Sequence, residues 1–154
     1  YALGSGIAIL LLYQLSISHF HLHQYMFFAP RMNFVSANRE GILSCFGYFS
    51  LQLIGIGLGR FLYFEMVQPE QLKMLEEGKP MQALLCVKDD VKTRTKREKR
   101  LVLKVLAMFV LLALAYIQSK AVFGAPSRRL CNLPYCLYQI ALNVLFLLYL
   151  LVLD

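Results

Sequence analysis

Long apolar stretches alternate with shorter polar connections along this chain, and four of the stretches are long enough to cross a membrane as helices. The first, 1–18, carries no charged residue; the second, 41–64, is interrupted only by Gln52 and Arg60. The third, 101–118, has Lys104 near its start, and the fourth, 133–153, contains Gln139 and Asn143. About 20 apolar residues span a bilayer core, and a helix is required there because it satisfies every backbone polar group internally. The pattern predicts an all-α fold, a polytopic transmembrane helix bundle with four spans. The chain starts with an apolar run already under way and stops directly after another, so it reads as part of one larger membrane domain.

Composition supports the same class. Of 154 residues, 58% are hydrophobic and the mean hydropathy is +0.56, more than a soluble core of this length can bury. Charge then orients the spans. The connection 65–100 holds nine Lys/Arg, six of them in KTRTKREKR (92–100), whereas the other two connections hold Arg31 and Arg39, and Lys120, Arg128 and Arg129. By the positive-inside rule 65–100 is a cytoplasmic loop, which places 20–40 and 119–132 together on the opposite side. The net charge of +7 needs no nucleic acid, because the basic run abuts a span and suits anionic membrane lipids.

Within that loop Pro69 can open a short surface helix that Gly78 closes, Pro80 preventing continuation. The run 92–100 is either a solvated linker or the polar beginning of the third helix. Cys45, Cys86, Cys131 and Cys136 form no CxxC pair; they read as small packing residues, with no disulfide and no metal expected. His19, His21 and His23 close the first span as HFHLH, and in a continuous helix His19 and His23 share a face. They suit a membrane interface, and a histidine such as His23 also has the reference pKa of a general base. Gly55 and Gly59, with Gly57 between them, permit close approach of a neighbouring helix. Gln139 and Asn143 lie one helical turn apart, placed to hydrogen-bond across the bundle or to line a polar cavity.

Two polar groupings sit at the membrane boundary. In 29–42, Ser36 or Asn38 can cap the second span, and Glu40 in its first turn favours the positive end of the helix dipole. Arg39 has either a local anchoring role or a substrate role. The second grouping, SRRLCNLPYCLY (127–138), sets Arg128 and Arg129 outside the fourth span on the side where cations are disfavoured, with no acid nearby in sequence. A guanidinium fork suits either a headgroup anchor or a bound phosphate.

Together SRRLCNLPY (127–135) and SANREGI (36–42) resemble motifs of the inositol acyltransferase family of glycosylphosphatidylinositol (GPI) anchor synthesis, the PIG-W-like proteins. The resemblance runs over the whole chain and implies a piece of a longer multi-pass protein of the endoplasmic reticulum membrane. It implies transfer of a fatty acyl group from acyl-CoA, as co-substrate and not as a bound cofactor, to the inositol ring of glucosaminyl-phosphatidylinositol. It also implies substrate-binding roles for Asn38, Arg39, Arg128, Arg129, Asn132 and Tyr135, with Glu40 or His23 as a base and the principal catalytic pair elsewhere in the longer protein. Cys131 and Cys136 depart from the family motif, where less reactive small or apolar residues are expected. A polytopic transporter and a noncatalytic subunit of a membrane complex are the alternatives from other classes.

Overall fold

A computed structural model describes residues 1–20, 22–66, 77–78 and 91–153, with the backbone alone for 66 and 91–95. Among these residues six helices follow one another: α1 (Ala2–His19), α2 (Leu22–Phe28), α3 (Phe34–Ala37), α4 (Arg39–Met66), α5 (Val91–Phe123) and α6 (Leu133–Leu153). Helices α1, α4, α5 and α6 are each long and apolar enough to cross a membrane, and the protein is an all-α, multi-pass membrane protein. Because α5 starts at Val91, the basic run 92–100 is the polar opening of the third long helix and not a separate linker. The surface helix expected between Pro69 and Gly78, together with His21 and Cys86, lies outside the described residues, apart from a turn at 77–78.

The long helices associate as two antiparallel pairs, α1 with α4 and α5 with α6. In hydrocarbon there is no hydrophobic drive between apolar helices, so small residues that let backbones approach closely carry the association. Two glycines do this about one helical turn apart, near the start of α1 and the end of α4. A Cβ on Gly6 would lie 2.9 Å from Ile54 Cγ1, and one on Gly57 would lie 2.6 Å from Leu3 Cβ. The expected GxxxG pair is not what packs: nothing lies within 4 Å of a Cβ built on Gly55 or Gly59. The helix places Gly57 on the α1 side and turns its two neighbours in the motif away.

Gly57→Val is therefore expected to destabilise the α1–α4 pair by about 1–3 kcal/mol, whereas Gly55→Val changes stability by no more than about 0.5 kcal/mol. Thermal melting in detergent checks this; equal losses from both variants would contradict the packing.

The two pairs meet around Leu10, Ile54, Leu101, Val105, Cys131, Cys136, Ile140 and Val144. An ion pair ties α5 to α4, with Lys104 Nζ 2.7 Å from Glu65 Oε2. Outward faces stay apolar and exposed, as at Leu12, Leu111 and Phe146, which is the arrangement a hydrocarbon solvent selects. Asn143 also faces outward. Among the described residues no hydrogen bond reaches Gln139 or Asn143, so neither bridges these four helices.

Candidate functional site

The segment 124–132 makes a tight turn between α5 and α6. Gly124 ends α5 at φ 84°, with its N–H donating to the Lys120 carbonyl oxygen (3.0 Å); this left-handed position suits glycine. Asn132 then caps α6. Its Oδ1 accepts from the Tyr135 N–H at 3.2 Å and the Ser127 N–H at 2.9 Å, while Nδ2 donates to the Ala125 carbonyl at 3.1 Å. The residue is 4% exposed and both polar atoms of its side chain bind backbone, so Asn132 gives the turn its shape. Pro134 falls in the first turn of α6, where its missing N–H costs nothing.

Helix α1 holds this turn from below. Tyr13 Oη donates to the Leu130 carbonyl at 2.6 Å, and Gln14 Oε1 accepts from the Leu133 N–H at 2.8 Å. One side of the turn also lies directly on α4, because a Cβ on Gly47 would come within 2.5 Å of the Cys131 carbonyl oxygen. Cys131 itself takes φ 47°, and its Sγ lies 3.7 Å from Cys136 Sγ. The Cys136 hydrogen bond lowers the pKa of the Cys131 thiol, against the opposing effect of burial.

With the turn pinned at Leu130, Cys131, Asn132 and Leu133, Arg128 and Arg129 project at its edge. Arg129 Nε lies 3.1 Å from Glu40 Oε2, and the other carboxylate oxygen receives Arg31 Nη2 at 3.2 Å. Two motifs separated by most of the chain thus meet through Glu40, whose carboxylate is engaged by both arginines. Arg129 also lies over the Phe27 ring, 5.5 Å from its centroid. It remains 66% exposed, so an arriving anion can reach it. Tyr48 Oη donates to the Arg128 carbonyl at 3.2 Å and its ring meets that of Tyr135 edge-on at 6.5 Å. Among the described residues no carboxylate pairs with Arg128.

Glu40, Gly41, Ser44, Tyr48, Arg128 and Arg129 line a cavity of about 380 Å³. Glu40 and Gly41 also wall a neighbouring one of about 580 Å³ that includes Arg31, Asn38 and Cys45. Three guanidinium charges (Arg31, Arg128, Arg129) against the one carboxylate leave two positive charges around Glu40. The two cavities therefore face net positive charge.

The other residues singled out from sequence fall differently. Arg39 is 3% exposed and donates to the carbonyls of Met26 (2.9 Å) and Ser36 (2.8 Å), locking α2 onto the start of α4. Asn38 does not cap α4 with its side chain; Nδ2 turns back to the Phe34 carbonyl at 3.0 Å. Ser36 lies inside the short α3, where it completes the capping box of the N-cap residue Asn33. Because α1 ends at His19, His19 and His23 stand on separate helices. His23 is exposed and meets Phe27, the ring that Arg129 covers, edge-on at 5.5 Å. Sequence reasoning missed Tyr13, Gln14, Gly47 and Tyr48. Gln14 did carry a signal, as a polar residue inside an uncharged span.

The GWT1 family model matches residues 1–154. Similar proteins include the GPI-anchored wall transfer protein 1 of Gibberella zeae, 32% identical over 147 residues that cover 92% of this chain and 25% of that protein. The glucosaminyl-phosphatidylinositol-acyltransferase PIGW of Homo sapiens is 24% identical over 147 residues, 92% of this chain and 24% of that protein. The phosphatidylinositol-glycan biosynthesis class W protein of Dictyostelium discoideum is 24% identical over 139 residues, 90% and 23% respectively. The chain thus spans about a quarter of the length of the relatives it matches. No solved structure matches it.

Proposed function

The chain belongs to the GWT1 family, and from that membership we propose that it forms part of an acyltransferase that places a fatty acyl group on the inositol ring of glucosaminyl-phosphatidylinositol in the endoplasmic reticulum membrane. One observation carries the residue assignment: the Arg129–Glu40 contact at 3.1 Å joins the two motifs into a single positive pocket. A phosphate diester fits such a pocket, with Arg128 and Arg129 as donors and Arg31 adding field from behind Glu40. Asn38 opens onto the adjoining cavity, where it is placed to orient acceptor hydroxyls. Tyr135 and Asn132 hold the turn that presents the arginines.

In the reaction an inositol hydroxyl oxygen attacks the carbonyl carbon of the acyl-CoA thioester. The new ester C–O bond forms, the C–S bond breaks, and the hydroxyl proton passes by way of a base to the departing thiolate. Glu40 or His23 is the base available within this chain. Glu40 has both oxygens engaged by arginine, so it serves the phosphate pocket before it serves proton transfer. The long basic connection faces the cytoplasm and the arginine pocket faces the lumen, where the acceptor headgroup meets it.

The test is acylation of glucosaminyl-phosphatidylinositol by the full-length protein in membranes that lack their own inositol acyltransferase. Acylated product from radiolabelled acyl-CoA is the expected result. Normal expression with no product overturns the assignment.

A further inference from the structure

A third cavity, about 490 Å³ and apolar, runs between the two helix pairs, lined on one side by α1 and α4 and on the other by α5 and α6. It touches none of the residues of the arginine pocket. We propose that it holds one fatty-acyl chain of a glycerophospholipid whose headgroup lies at the same membrane face as that pocket.

Dimensions decide the occupant. At about 1.5 Å rise per residue the lining of α5 from Phe123 to Met108 is about 22 Å long, which exceeds the roughly 15 Å depth of one leaflet's hydrocarbon. Spread over that length, about 490 Å³ leaves a groove narrower than the roughly 10–12 Å another helix needs. One hydrocarbon chain fits.

Chemistry gives the direction. Leu3 and Met108 mark one end, and Leu133, Gln118, Ser119 and Phe123 the other. Leu133 is the residue whose N–H is held by Gln14, so the polar end lies directly beneath the 124–132 turn. Ser119 Oγ donates to the Tyr116 carbonyl at 2.8 Å. Gln118 is exposed, makes no hydrogen bond among the described residues, and is the donor available to an ester carbonyl. Leu11 and Val122 on the rim are 49% and 73% exposed, which leaves a lateral entrance from the bilayer. In a hydrocarbon solvent an apolar channel with such an entrance forfeits dispersion contacts along its whole lining unless a chain fills it.

The experiment uses the full-length protein in membranes, with a phosphatidylcholine or phosphatidylinositol that carries a photoreactive diazirine in one acyl chain. Label is expected on Leu112, Ala115 and Leu137. It should fall by roughly tenfold in Ala115→Trp, which fills the channel, and persist in Leu114→Trp, whose site is an exposed outer face. The folded state of each variant is checked by detergent melting; if Ala115→Trp does not fold, Leu137→Phe serves in its place. Label spread evenly over outer faces such as Leu114 and Leu145 would overturn the proposal. So would label delivered by a photoreactive acyl-CoA and by neither phospholipid, since the channel would then belong to the acyl donor. Neither result depends on whether acyl transfer is detected.

Discussion

Arg129→Ala is expected to lower transfer to glucosaminyl-phosphatidylinositol by roughly 10- to 100-fold, mostly as a higher KM for the acceptor, since a charge-assisted hydrogen bond contributes about 1.5–3 kcal/mol. Two losses combine. The pocket loses a donor to the phosphate, and Glu40 keeps only Arg31 at 3.2 Å, which lets its negative charge face the incoming anion. Arg129→Lys separates the two effects. Lysine restores charge without the planar fork whose Nε reaches Glu40, so a partial recovery indicates that geometry matters beyond charge. The KM for acyl-CoA should stay near the wild-type value. A fall in kcat with an unchanged acceptor KM would instead place Arg129 at the reacting centre and refute the phosphate assignment.

Gly47→Val is expected to be as damaging, although the residue touches no substrate. Any Cβ there meets the Cys131 carbonyl oxygen at 2.5 Å and Cys131 Sγ at 2.9 Å, and a backbone carbonyl cannot swing away as a flexible side chain can. The turn must lift from α4 or α4 must bend, at a cost of about 1–3 kcal/mol by the usual measure of overpacking. Lifting the turn also strains the Tyr13 and Gln14 hydrogen bonds and shifts Arg128 and Arg129 relative to Glu40. Activity should fall by more than about tenfold while helix content by circular dichroism is retained, with Gly47→Ala between wild type and Gly47→Val. A Gly47→Val protein of normal activity would show that the turn is not seated as described.

The contrast between these two residues reflects what is visible along a chain. Arg129 stood out because two adjacent cations at a membrane boundary, on the side that disfavours them, oppose the usual charge bias. Gly47 gave no such sign. It lies in the same helix as Gly55, Gly57 and Gly59, and the regular spacing of Gly55 and Gly59 pointed to a contact that Gly57 makes instead. Asn132 and Asn38 looked equivalent as amides beside arginines. One is buried and holds three backbone groups; the other bonds a single carbonyl and opens onto a cavity.

The four membrane helices were legible because hydropathy over about 20 residues is a local property, set by the solvent each stretch must enter. The two polar motifs were legible for the same reason, since polar groups next to an apolar span stand out against it. Helix ends were blurred only where charge continued a helix beyond the membrane, as in the first part of α5. Which residues touch across the chain is a different quantity. Glu40 and Arg129 are 89 positions apart, and nothing local distinguishes a carboxylate that caps a helix dipole from one that unites two arginines. The seating of the turn on Tyr13, Gln14 and Gly47, the burial of Arg39 and the narrow channel between the helix pairs depend on rotation and separation of helices. Those follow from interlocking side chains in three dimensions, so only the tertiary structure decided them.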